Sequence, residues 1–102
     1  HLVAVLQAGL REHDLLCRVG GEEFCILLPD TRETGARSVA ERLQQALADT
    51  PFEWAGERWP LTASFGVATV ASGRDSAESL LQRADQAVYR AKEAGRNQVV
   101  QL

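Results

Sequence analysis

The chain has 102 residues, 45% hydrophobic and 25% charged, with 11 Lys and Arg against 14 Asp and Glu for a net charge of −3. That length supports one hydrophobic core, and the acidic balance argues against a nucleic-acid-coating surface, which needs a basic excess. With no bilayer-length apolar run and no signal peptide, the sequence reads as one soluble domain of the cytoplasm, whether or not a longer parent chain is tethered to a membrane.

Leu2, Val3, Leu6 and Leu10 recur at the spacing of a helix's buried side, predicting a helix from Leu2 to about Leu10 that is already under way at His1. The chain thus reads as the back portion of a longer domain. After Arg11-Glu12-His13-Asp14 come two β-prone runs, Leu15-Leu16-Cys17 and Cys25-Ile26-Leu27-Leu28, on either side of Arg18-Val19-Gly20-Gly21-Glu22-Glu23-Phe24. Glycine supplies the positive φ angles of tight loops, so this pattern predicts a β-hairpin with both acids at its tip. If Val19 pairs with Phe24, alternation sends Cys17 and Cys25 to opposite faces, where no disulfide closes, and both read as reduced core residues.

Pro29-Asp30-Thr31 closes the second strand. Ala36, Val39, Ala40, Leu43 and Leu47 then predict a helix from about Thr34 to Asp49, with Arg37, Glu41, Arg42 and Gln45 on its other face. Pro51 ends it. Phe52-Glu53-Trp54 and Glu57-Arg58-Trp59, joined by Ala55-Gly56, predict a small second hairpin. Leu61 to Val70 reads as a long interior strand covered on both faces. Asp75 followed by Glu78 fits a capped helix start, Leu80, Leu81, Ala84, Ala87, Val88 and Ala91 mark that helix's buried stripe, and Gly95 stops it. Gln98 to Leu102 adds a closing strand. The expected architecture is α/β (α+β), a central mixed or antiparallel sheet flanked by helices, and not a doubly wound dinucleotide fold.

The chemistry concentrates at the first tip. Adjacent carboxylates repel, so Glu22 and Glu23 sit best in water or beside a cation, and hard divalent metals take such oxygens. The N–H groups of Gly20 and Gly21 offer an anion-binding nest beside them. Taken alone, Gly-Gly-Glu-Glu is more often a solvated turn than a site. His1 and His13 lack a second histidine or cysteine at ligand spacing and read as exposed polar residues.

The tip running into Phe24 resembles the signature of the GGDEF domain, the catalytic domain of diguanylate cyclases, in its GGEEF spelling. Thr62-Ala63-Ser64-Phe65-Gly66-Val67-Ala68 resembles that family's core strand, and Ala84 to Lys92 followed by Gly95-Arg96-Asn97 resembles its closing helix and turn. Order and spacing fit along the whole chain, residues 1–102, read as one partial domain. The resemblance implies that Glu22 binds the catalytic metal, Mg²⁺ or Mn²⁺, and helps deprotonate the attacking hydroxyl. Glu23 supports metal or phosphate geometry, and Gly20 and Gly21 lie against the triphosphate of GTP. Lys92 and Arg96 match phosphate-contacting cations; four apart, they fall on one helix face, where they would also offset the helix dipole. Arg11, Asp14 and Arg42 match an inhibitory site for the product, cyclic di-GMP, with Arg11 stacking on guanine and Asp14 accepting from it.

The family also has, ahead of these motifs, a strand with a metal-binding Asp and a helical region that reads guanine, so the 102-residue piece is expected to be inactive by itself. For the parent, the resemblance implies condensation of two GTP into cyclic di-GMP and two pyrophosphates by a homodimer, without DNA, RNA or membrane contact by this segment. The alternative is a catalytically silent domain that senses cyclic di-GMP, and a pure interaction scaffold stands third.

Overall fold

The structure is a computed structural model, and it describes residues 1–20, 23–59, 61–70 and 76–101. The elements run α1 (Leu2–Ala8), β1 (Leu15–Gly20), β2 (Glu23–Leu27), α2 (Glu33–Asp49), β3 (Phe52–Trp54), β4 (Glu57–Trp59), β5 (Phe65–Val67), α3 (Ala77–Glu93) and β6 (Val99–Gln101). Mixed α/β organisation is as the sequence implies. The described strands form three two-stranded sheets, antiparallel β1-β2 and β3-β4 and parallel β5-β6, in place of one central sheet.

The core is laid down by α2. Its predicted stripe is buried at Ala36, Ala40, Leu43 and Leu47, while Arg37, Glu41, Arg42 and Gln45 face solvent. Leu43 and Leu47 close on Leu6 of α1 and on Leu16 and Ile26, the inward side of the first hairpin. Ala36 and Ala40, small enough for close approach, seat Val67 of β5, and Phe65 touches both clusters. Val3, placed by its spacing on the buried side of α1, is 48% exposed, because the short helix turns only Leu2, Val5 and Leu6 inward.

β5 is shorter than the apolar run from Leu61 to Val70, since a ladder reaches only as far as its partner, and β6 offers three residues. Its two faces are nevertheless covered, Val67 by α2 and Gly66 by α3. A Cβ on Gly66 would strike the Ala84 carbonyl and the Val88 main-chain nitrogen, and would stand 2.7 Å from Val88 Cγ2. Backbone cannot step aside as a flexible side chain can, so the position requires glycine.

α3 starts one residue later than the Asp75–Glu78 pattern implies. Ser76 is the N-cap, accepting from Ser79 N–H at 3.1 Å while the Ser79 hydroxyl takes the Ser76 N–H at 3.0 Å, a reciprocal pair built from two serines. Asp75 lies outside the described residues. The stripe holds at Ala87 and Ala91, but Leu81 is 49% exposed. Gly95, at φ 119°, ends the helix as expected. In the second hairpin Ala55 and Gly56, at φ 54° and 81°, make the paired left-handed turn that matches strand twist.

The register of the first hairpin differs from expectation. Leu16 pairs with Ile26, Cys17 with Cys25 and Arg18 with Phe24, then an irregularity at Val19 brings Gly20 opposite Glu23. The two cysteines are therefore direct neighbours on one face. Cys17 is exposed and not a core residue, Cys25 is half-buried, and both are free thiols. We predict that Gly66→Ala lowers folding stability by about 3 kcal/mol, the upper range for overpacking, in urea unfolding.

Candidate functional site

The turn before β1 is closed from both ends. Asp14 N–H donates to the Arg11 carbonyl at 3.0 Å, and Arg11 N–H donates to Asp14 Oδ2 at 2.9 Å. The Arg11 guanidinium lies over the same carboxylate at 3.5 Å and donates to the Thr31 hydroxyl at 2.9 Å, which itself donates to the Pro29 carbonyl at 2.9 Å. Asp14's side chain is 1% exposed and Arg11's 61%. Far from a solvated pair, this is a buried anion holding an outward-facing cation. Its carboxyl is held below the ordinary value near 3.8, first by the Arg11 main-chain N–H; burial pushes the other way, and the Arg11 guanidinium and His13 add to the lowering.

Arg42 joins this corner from α2, donating to the Gly9 carbonyl at 2.8 Å at the end of α1. Arg42 thus meets the chain two residues before Arg11, and no hydrogen bond among the described residues joins it to Arg11 or Asp14. Sequence reasoning missed Thr31, whose only signal was a hydroxyl in the turn after β2.

At the hairpin tip, the Gly20–Glu23 pair brackets Gly21 and Glu22, which lie outside the described residues. Glu23 is exposed at the start of β2. Carboxylate oxygens suit a hard divalent ion. Among the described residues, however, no three His, Cys, Asp or Glu side chains converge to hold one.

Lys92 and Arg96 are both exposed but do not share a helix face. α3 ends at Glu93, and Arg96 lies past Gly95 with φ 64°, its N–H folded back to the Ala91 carbonyl at 2.9 Å. Helical spacing therefore does not apply to the pair. Asn97, also left-handed at φ 48°, is gripped by Gln44 of α2, whose amide donates to the Asn97 carbonyl at 2.6 Å and to its Oδ1 at 3.2 Å. Gln44 is a second residue that periodicity could not reveal, since it only continues a polar helix face. No side-chain bond among the described residues joins Lys92 or Arg96 to Glu23. His1 and His13 are exposed, His1 donating to the Thr50 carbonyl at 2.8 Å.

Among the described residues, three helices, short paired-strand sheets and an arginine seated on a buried aspartate at the turn before β1 define a mixed α/β domain. The family described as "Diguanylate cyclase, GGDEF domain" matches residues 1–98, and the chain belongs to it. Diguanylate cyclase DgcP of Pseudomonas aeruginosa is 45% identical over 94 residues, covering 92% of this chain and 14% of that relative. Among solved structures, diguanylate cyclase SiaD of P. aeruginosa, in complex with its activator SiaC, superposes with a TM-score of 0.91 at 36% identity, covering 99% of this chain and 38% of that one. The active GGEEF domain of a Vibrio cholerae diguanylate cyclase gives 0.84 at 36%, covering 98% and 63%. The DgcB GGDEF domain of Caulobacter crescentus in complex with c-di-GMP gives 0.89 at 25%, covering 98% and 60%. The relatives are named as diguanylate cyclases, which are nucleotidyltransferases, and the chain spans a minor part of the longer ones. No described helix is long and apolar enough to cross a membrane.

A carboxyl whose folded pKa is depressed stabilises the fold above its ordinary value, and this stability drains as pH falls below about 3.8 toward the folded value. We predict that Asp14→Asn is less stable than the native chain near neutral pH and that the gap closes under acid. Urea midpoints recorded across pH check this.

Proposed function

We propose that residues 1–102 are one partial GGDEF domain of a diguanylate cyclase, whose parent protein condenses two GTP into cyclic di-GMP and two pyrophosphates. The observation that carries this reading is the hairpin ladder closed across Gly20 and Glu23, with the GGEEF spelling that the active V. cholerae neighbour shares. In this reading Glu22 holds Mg²⁺ or Mn²⁺ and Glu23 supports it. Gly20 and Gly21 present amides to the triphosphate, and Lys92 and Arg96 contact phosphate. Two domains face each other as a homodimer, because in phosphoryl transfer most acceleration comes from positioning and charge. In the full-length protein, Glu22→Ala lowers conversion of GTP to cyclic di-GMP by about a hundredfold or more while leaving the unfolding midpoint in place. Undiminished turnover would refute the role.

Arg11, Asp14 and Arg42 form the inhibitory site of this reading. A related domain is solved with c-di-GMP, and the corner formed here presents an arginine plane to solvent on a buried carboxylate. In place of the guanine acceptor that the resemblance implies, Asp14, with its carboxylate 1% exposed, works in this reading by aiming Arg11 at the guanine. Arg11→Ala removes the guanidinium but keeps the main-chain bond to Asp14, so the turn persists while calorimetric binding of cyclic di-GMP is lost. Binding by the full-length native protein without any GTP turnover would turn the assignment to the sensor alternative.

A further inference from the structure

Cys17 and Cys25 face one another across the β1-β2 ladder, and the chain between them, Arg18 to Phe24, is the entire tip. Directly opposed residues of an antiparallel pair have Cα atoms about 4.5 to 5.5 Å apart, inside the roughly 4.4 to 6.8 Å range that a disulfide spans. Leu16 and Ile26, the neighbouring pair, point into the core, so the cysteines lie on the hairpin's opposite, more open face together with Leu15 and Leu27, which are 55% and 46% exposed. Cys17 is open to a dissolved oxidant and Cys25 sits half-buried beside it.

We infer that Cys17 and Cys25 form a reversible disulfide across the base of the tip, with a soluble disulfide such as oxidised glutathione as oxidant. The exposed Cys17 thiolate attacks one glutathione sulfur, forming the mixed disulfide and releasing one glutathione thiolate. Cys25 then attacks Cys17 Sγ as its thiolate, closing the internal bond and releasing the second glutathione. The two protein thiols give up two protons, which the two glutathione thiolates take, so protein dithiol and one oxidised glutathione become protein disulfide and two glutathiones. Cβ atoms of facing strand residues stand about 4.5 to 5.5 Å apart, wider than the mean of about 3.8 Å in disulfides, so the bond draws the strands together. A strained, accessible bond of this kind is readily reduced, which suits a switch better than a permanent staple. Closing it restrains the segment that holds Gly20 to Glu23.

The test is to equilibrate the 102-residue protein in glutathione buffers of rising oxidising strength, quench with acid, alkylate and digest with trypsin. The expected product is monomeric, with peptide Glu12–Arg18 joined to peptide Val19–Arg32, and dithiothreitol abolishes the link. Cys25→Ser should arrest at glutathione on Cys17, and amide exchange across Arg18–Phe24 should slow several-fold in the oxidised native chain. Glutathione on both cysteines independently, or linkage between chains as the main product, overturns the bond. Equal exchange rates in the two redox states overturn the control of the tip. Neither readout depends on nucleotide turnover.

Discussion

The packing of Leu16 and Ile26 against Leu43 and Leu47 fixes the first hairpin. Side chains alternate with a period of two, so a slip of one residue would turn that inward pair to solvent and carry Arg18 and Phe24 with it. Because the slip is costly, the same contacts settle features far from the core. Gly20 meets Glu23 and the cysteines come into opposition. Core packing thus sets the strand register on either side of the tip.

The corner around Arg11 obeys a different logic. An aspartate carboxylate that is 1% exposed would ordinarily be costly to keep ionised. Here a main-chain N–H reaches it directly and an arginine covers it, so the charged form is favoured despite burial. What reaches solvent is a guanidinium with restricted freedom, tied also to Thr31. Such a group meets a planar, hydrogen-bonding ligand with less rotamer entropy left to lose than a free surface arginine.

How far these features could be read from sequence depends on what each one rests on. α2 and α3 were legible because a buried stripe at three- and four-residue steps has few rivals, and the Pro29, Pro51 and Gly95 stops are local stereochemistry. The hairpin register was not legible. Leu15, Cys17, Cys25 and Leu27 make one apolar set, Leu16, Phe24 and Ile26 another, and alternation alone does not say which meets the core. Ser76 and Asp75 are adjacent residues of capping type, each with a polar residue three positions on, and sequence alone does not choose between them. Leu81 and Val3 show the same limit, since an apolar residue beside a stripe need not belong to it. Thr31 and Gln44 act through contacts 20 and 53 residues distant, where no periodic signal exists.

The Gln44 contact is one of several that start from α2. Its buried stripe locks the helix to the core, and its polar side then ties down three other segments. Arg42 holds the end of α1, Gln44 holds the turn after α3, and the Glu33 carbonyl accepts from Gln101 of β6 at 2.7 Å. The grip on Asn97 matters most. Arg96 occupies a left-handed conformation that costs an L-residue with a Cβ about 1–2 kcal/mol, so the turn holds only if something outside it is favourable enough. Gln44 and the return bond from Arg96 N–H to Ala91 supply that constraint, and the cation is held off the helix axis in place of continuing it. α2 therefore sets the position of Arg42 at one candidate site and of Arg96 at the other, although it carries no residue of the tip.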